Sequence, residues 1–340
     1  MSSRQTITTP LLLPRIHGLS GNILASTLLM VLFVGAPLLA SQATVNNLIQ
    51  MVSLGLFALS FNILFRYAGL LSFGHAVFFG VAAYGSALWL QASPAMPLLF
   101  VLLGTAITVA FLGFLIGQIC VRREGAYFSM TSLAIAAFFA TVAAKWTQVT
   151  GGADGLDGFM PNNVVLFPGW ILNNIGLSQT YWLELAFIIP SGLVALALLT
   201  LTPWGNAVRA VRYNEKRAAF LGYNTHAVKL SVFVLSAFLA GIAGGLWAVG
   251  NQFVSTDSID LAMSTNVIIM VVLGGTDWFW GPIIGAMLYI SASDWLSALT
   301  PNWQLWFGVG FIAVVLFVRG GASSIIAWLW LRLKNGGHYG

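Results

Sequence analysis

An all-α bundle embedded in a lipid bilayer is the fold this sequence predicts, on three observations: its apolarity, the length of its apolar runs, and the places where its few charges fall. Of 340 residues, 59% are hydrophobic and only 7% are charged, against roughly 25% charged in an ordinary soluble domain. A water-soluble chain needs polar surface to stay dispersed, whereas a lipid-facing surface needs almost none. The mean hydropathy of +0.89 agrees. In a soluble protein the net charge of +5 would point to nucleic acid. Here the charges lie between apolar runs, so lipid is the expected surroundings and no nucleic-acid partner is expected. One cysteine, Cys120, excludes a disulfide framework and a cysteine metal cluster. Its place at the end of an apolar run reads as an inert buried thiol.

A helix needs about 20 apolar residues to cross the hydrocarbon core. Runs of that kind fall at about 20–40, 45–65, 70–91, 97–121, 126–145, 181–203, 228–250, 262–276, 281–299 and 303–319, giving about ten spans. The first follows Arg4 and Arg15 and closes on residues 38–43, which resemble a signal cleavage site; it is read as a retained first span. The eighth is short and ends at Gly274 and Gly275, which predicts a broken or re-entrant helix. With the N-terminus inside, Arg4, Arg15, Arg66, Arg122, Arg123, Arg209, Arg212, Lys216, Arg217, Lys229, Arg319, Arg332 and Lys334 fall on the cytoplasmic side, thirteen of fourteen basic residues. Only Lys145 falls outside. Cytoplasmic loops retain Lys and Arg, and hydropathy took no account of charge, so the agreement is an independent check. Both termini are therefore placed in the cytoplasm.

This divides the chain into a cytoplasmic segment 1–19, a transmembrane domain 20–320 and a tail 321–340. The external loop 146–180 is rich in Gly, Pro and Asn, and the cytoplasmic loop 203–227 is basic. The tail carries Ile325, Trp328 and Trp330 beside Arg332 and Lys334, a composition suited to a helix at the membrane interface. Span two enters from outside and span seven from inside, so spans two to five and seven to ten are candidates for an inverted repeat.

Several chemistries are excluded. No Gly-x-x-x-x-Gly-Lys-Ser/Thr phosphate loop exists, and no Gly-Lys dipeptide occurs anywhere. Zinc-binding His-Glu-x-x-His and nucleophile-elbow motifs are absent too. His75 is the one histidine within a span, a poor metal site by itself, and no metal is expected. An ion-coupled carrier keeps ionisable residues at mid-membrane despite their cost of about 2.5–3.5 kcal/mol. Lys145, Glu184 and Asp294 are all predicted near span ends. Driving force is therefore expected to enter from another protein, and the cytoplasmic loop is where a motor would push. Within it Asn214 is placed as an N-cap, Glu215 suits the positive first turn, and Gly222 suits the C′ stop of a short helix over about 215–221. Its Ala218, Ala219, Phe220 and Leu221 would either seat in a partner's groove or belong to a solvated interfacial helix. The tract from Ser236 to Gly245, and Gly74, Gly80 and Gly85, serve either close helix packing or unwound points that meet a substrate.

Five stretches in order resemble the larger, M-type membrane subunit of the branched-chain amino-acid permease family of ATP-binding-cassette importers. They are Gly69-Leu-Leu-Ser72-Phe-Gly74-His75-Ala-Val-Phe-Phe-Gly80 continuing to Tyr84; Arg123-Glu-Gly125-Ala-Tyr127-Phe128 with Thr131 and Leu133; Thr150-Gly151-Gly152 with Gly155 and Leu156; Asn214-Glu215 with Ala218, Leu221 and Gly222, followed by Lys229 and Leu230; and Gly274-Gly275 with Gly281-Pro282 and Gly285-Ala286. The resemblance runs from about Asn47 to Gly320. Where Asp277 and Trp278 stand the family usually has Gly and Thr, so no role is carried onto that turn.

The resemblance implies that the loop with Arg209, Arg212, Asn214, Glu215, Ala218, Ala219, Leu221 and Gly222 is a coupling helix received by one of two cytoplasmic ATPase subunits. Those subunits would bind ATP and Mg, this chain holding no cofactor. A homologous second permease would complete a heterodimer in the bacterial inner membrane. A periplasmic binding protein would deliver ligand near Thr150, Gly151, Gly152 and Asp154. Branched-chain amino acids are the implied cargo, with urea, short amides or aromatic acids as alternatives. A mildly polar path without fixed charge would release a zwitterion, and Ser72, His75, Tyr84, Tyr127 and Thr131 are the candidates to line it. Two other classes compete: an ion-coupled secondary transporter, and a membrane-embedded enzyme, for which the sequence has no nucleophile or metal constellation.

Overall fold

The first described helix is not a simple cylinder, and the reason sets the plan of the molecule. A computed structural model describes residues 42–123, 125–159, 163–167, 170–173, 176–276, 278–317 and 320–322. The predicted first span, Asp277 and the interfacial tail lie outside them. Helix α1 (Gln42–Asn62) continues as a wider π-helical segment, Ile63–Ala68. Gly69, at φ 73°, turns the chain away. Residues 69–75 then climb back into the bundle without regular structure before α2 (Ala76–Ala92).

Besides a single helical turn at Thr147–Thr150, the remaining α-helices among the described residues are α3 (Leu98–Cys120), α4 (Ala126–Lys145), α5 (Leu177–Leu201), α6 (Pro203–Tyr213), α7 (Glu215–Phe220), α8 (Thr225–Asn251), α9 (Leu261–Gly274), α10 (Gly281–Leu299) and α11 (Trp303–Phe317). Among the described residues six helices are long and apolar enough to cross a membrane: Thr44–Ala68, Leu98–Cys120, Ala126–Lys145, Leu177–Leu201, Thr225–Asn251 and Gly281–Leu299. Three shorter apolar helices accompany them. All nine fall on the apolar runs predicted for spans two to ten. The protein is a multi-pass helical membrane protein.

Two of the three shorter apolar helices, α2 and α9, share a cause. Each follows a long helix whose chain breaks and re-enters: 69–75 before α2, and 252–260 before α9. In the second break Gln252 takes a left-handed φ of 54° and Thr256–Ser258 makes one 3-10 turn. The predicted irregularity of the eighth span therefore precedes the helix as well as ending it, where Gly275 stands at φ 91°. The two breaks converge inside the bundle. Ser258 and Ile259 press on Gly80 of α2, and the Ala76 amide donates to Ser264 Oγ of α9 at 3.1 Å.

Packing repeats the same scheme. Helix α8 lies on α2 and α3, and α1 lies on α9 and α10, while α1 and α8 lie on each other. The predicted inverted repeat would relate α1–α4 to α8–α11. Glycine makes the closest crossings possible. A side chain at Gly244 of α8 would run into the Phe79 carbonyl of α2, and one at Gly285 of α10 into the Met270 carbonyl of α9. Small residues at such crossings let backbones meet where no hydrophobic force drives helices together in lipid.

Outside the helices the chain forms structure the sequence did not announce. In the loop over 146–180, β2 (Asn163–Phe167) pairs antiparallel with β3 (Trp170–Asn173). A two-residue strand β1 (Leu156–Asp157) pairs with β4 (Phe253–Val254), tying that loop to the second break.

Candidate functional site

Three places carry the residues that the sequence singles out. The loop over 203–227 is built from local rules. Pro203 opens α6, and the Thr202 hydroxyl accepts from the Gly205 amide at 3.2 Å. Ala207, Val208 and Val211 bury one face of α6, and Trp204 Nε1 donates to Ser231 Oγ of α8 at 2.8 Å. Asn214 Oδ1 accepts from the Arg217 amide at 2.9 Å, satisfying an otherwise orphaned donor of α7. Glu215 pairs with Lys229 of α8. Gly222, at φ 90°, stops the helix, with the Tyr223 amide returning to the Ala218 carbonyl at 3.1 Å. Ala218 is buried, but Phe220 is 91% and Leu221 71% exposed. A short, capped, ion-paired helix thus holds an apolar knob away from the bundle. Arg209 and Arg212 are held within the chain at its surface: Arg209 Nη2 donates to Asn206 Oδ1 at 2.8 Å, and the exposed Arg212 donates from Nε to the Arg66 carbonyl at 3.2 Å.

The second place is the re-entrant segment. His75 is fully buried, stacked on Phe57 with ring centroids 5.4 Å apart and edged by Phe61 and Phe78. Its Nε2 lies 2.9 Å from Ser60 Oγ and 3.4 Å from Ser236 Oγ. Each serine proton is already donated to a carbonyl, Ser60 to Phe57 and Ser236 to Ser60. Nε2 is therefore the donor, and Nδ1 stays buried without a partner among the described residues. Ser72 Oγ accepts from the Gly74 amide at 3.3 Å, a local turn. Tyr84 is buried with its hydroxyl unpartnered among the described residues. Tyr127 is 72% exposed on α4, and Thr131 Oγ1 donates back to its carbonyl. The five candidates therefore do not converge. Ser60, Ser236 and Ser264 are what the structure gathers around His75 and Ala76. Hydroxyls inside otherwise apolar runs were the available signal.

Helix α4 forms the third place. A cavity of about 560 Å³ lies between its N-terminal half and the re-entrant segment, lined by Gly69, Leu71, Phe73, Phe128, Ser129 and Met130 among others. Ser129 Oγ donates to the Leu71 carbonyl at 2.6 Å, and the Phe73 amide to Ser132 Oγ at 3.1 Å. At the C-terminal end of α4 an open depression runs along Phe138, Thr141, Val142, Lys145 and Trp146. Both surfaces are mostly apolar. Beyond α4, Thr150 Oγ1 donates to the Ala143 carbonyl at 2.6 Å. Gly151 and Gly152 take left-handed turns at φ 73° and 63°, and Asp154 is exposed.

One expectation is corrected. Lys145 ends α4, and exposed Asp294 accepts from Asn47 Nδ2 at 2.5 Å, but Glu184 is not a surface residue. It lies seven residues into α5, about 10 Å along the helix. It is wholly buried against Ile49 and Gly250, and neither carboxyl oxygen has a hydrogen-bond partner among the described residues. Hydropathy counting places a lone carboxyl near a helix end; it cannot show that α1 and α8 close over it. Cys120, by contrast, is free and buried as expected.

Residues 43–319 match the family described as the branched-chain amino acid transport system permease component. The chain is 28% identical over 326 residues to the high-affinity branched-chain amino acid transport system permease protein LivM of Escherichia coli, covering 91% of this chain and 76% of that protein. To the LivM protein of Salmonella typhimurium it is 26% identical over 331 residues, with the same coverage. A probable LivM protein of Methanocaldococcus jannaschii is 24% identical over 317 residues, covering 79% of this chain and 87% of that one. No solved structure matches.

Proposed function

Because the chain belongs to the branched-chain amino acid permease family, we propose that it is the membrane-spanning subunit of a bacterial ATP-binding-cassette importer. Its cargo on this reading is a branched-chain amino acid delivered by a periplasmic binding protein. ATP is hydrolysed by separate cytoplasmic subunits, and a homologous permease completes the membrane unit in the inner membrane.

The observation that carries this reading is the α7 knob. A solvated interfacial helix would have no use for two almost bare apolar side chains, Phe220 and Leu221, on a helix fixed by an N-cap, a glycine stop and an ion pair. That is the form of an anchor for a groove on another protein, where an exposed apolar side chain contributes most. The apolar cavity beside α4 suits an aliphatic side chain, and no charged residue lines it.

The test is leucine uptake into proteoliposomes. Uptake is expected only when both permeases, the ATPase subunits, the binding protein and ATP are present. Uphill uptake by this chain alone would refute it. Glu184 favours a second reading, a secondary carrier, since buried intramembrane carboxyls mark ion paths. On that reading a protonophore abolishes uptake with ATP present; on the first it does not.

A further inference from the structure

Arg212 does something other than face a partner. The π-helical end of α1 leaves its last carbonyls without intrahelical partners, and it carries the negative end of the helix dipole. Arg212 Nε donates to one of them, the Arg66 carbonyl, at 3.2 Å. The same guanidinium lies against Gly69: a Cβ there would sit 2.8 Å from Arg212 Nη1 and 3.0 Å from its Cζ. Glycine holds the φ of 73° there without strain, and its lack of a side chain lets Arg212 approach. Gly69 also begins the cavity wall. Leu71 and Phe73 follow it, clipped to α4 by Ser129 and Ser132.

The base of Arg212 is equally fixed. Val208 and Val211 pack α6 into the bundle, Trp204 bonds to Ser231, and the next helix is the capped, ion-paired α7. One side chain thus bridges the helix that precedes the knob to the Arg66 carbonyl, 146 residues away in sequence, and to Gly69 at the start of the cavity wall.

We propose that Arg212 is a positioning residue that transmits displacement of the cytoplasmic loop to the 69–73 wall of the α4 cavity. The proposal rests on the importer reading above. Pushing on Phe220 and Leu221 moves α7 and α6 as one piece. Arg212 carries that motion to the end of α1 and Gly69, and the wall shifts against α4.

The test uses the complete importer complex with Cys120→Ala and a reporter Leu71→Cys, with and without Arg212→Ala. In the parent complex, maleimide labelling of the reporter is expected to differ between the ATP-and-vanadate state and the nucleotide-free state. In Arg212→Ala the ATPase subunits still co-purify and hydrolysis stays within about twofold. The nucleotide dependence of labelling disappears, and leucine taken up per ATP falls about tenfold, within the range over which such linkages modulate coupling. Undiminished nucleotide-dependent labelling in Arg212→Ala overturns the proposal. So does loss of ATPase co-purification, which would make Arg212 a docking residue. Should the alanine variant fail to accumulate, Arg212→Lys, which keeps the charge but lacks the planar fork, replaces it, and the same labelling and co-purification results support or overturn the proposal. A parent complex without ATP-dependent uptake instead defeats the importer reading, before any Arg212 variant is compared.

Discussion

At the scale of single residues, buried polar atoms separate those that build the fold from those that burden it. Asn214 builds: its carboxamide satisfies an α7 amide. Asn214→Ala is expected to destabilise that helix by about 1 kcal/mol. Amide hydrogens of 215–221 would then exchange roughly fivefold faster by mass spectrometry, while those of α8 are unchanged. Glu184 burdens: both carboxyl oxygens are sealed between α1, α5 and α8 without a partner among the described residues. Leaving a buried polar group unsatisfied costs about 1–3 kcal/mol. Glu184→Leu, of similar volume, is expected to raise the thermal unfolding temperature in detergent. A gain in stability with loss of uptake would show that the carboxyl is retained for transport, in the manner of other functional sites that cost stability.

At the scale of elements, the closest helix crossings rest on backbone contact. Where α8 meets α2, Gly244 abuts the Phe79 carbonyl, so a methyl group there forces two helices apart. Gly244→Ala is expected to cost at least the roughly 1–3 kcal/mol typical of overpacking, seen as a lower unfolding temperature and poorer yield. Gly308 of α11 has open space around it. Gly308→Ala, the same chemical change, is expected to be neutral or stabilising by up to about 1 kcal/mol, because alanine is the better helix former. Equal effects at both positions would contradict the packing described. The breaks before α2 and α9 follow the same economy, since irregular backbone is tolerated at membrane depth only where protein covers it. Ser129, Ser132 and Ser264 supply that cover for 69–76.

At the scale of the whole molecule, charge predicts the orientation. On the predicted ten-span arrangement thirteen of fourteen basic residues fall on one side. In a Cys120→Ala background, a cysteine at Phe220 is expected to react with a membrane-impermeant maleimide only in inside-out vesicles. One at Ala153, exposed beyond the end of α4, is expected to react only from the other side. Labelling of both from one side would invert the assignment of the knob to the cytoplasm, and with it the route by which ATP hydrolysis is proposed to act.

What the sequence determined by itself is what depends on neighbours along the chain. Apolar runs, cap residues and stop glycines express local energies, so nine helices, the Asn214 cap and the Gly222 stop were legible, as was the family through its motifs. What only the tertiary structure decided depends on residues far apart. Tyr127 reads like Ser72 in the sequence yet lies on an open face, and Glu184 reads like a surface carboxyl until α1 and α8 enclose it. The Ser60–His75–Ser236 cluster joins positions up to 176 residues apart, and Arg212 reaches the α1 carbonyl across 146. Neither meeting has a local energetic signature, because the chain between can be spaced in many ways until helix packing selects one.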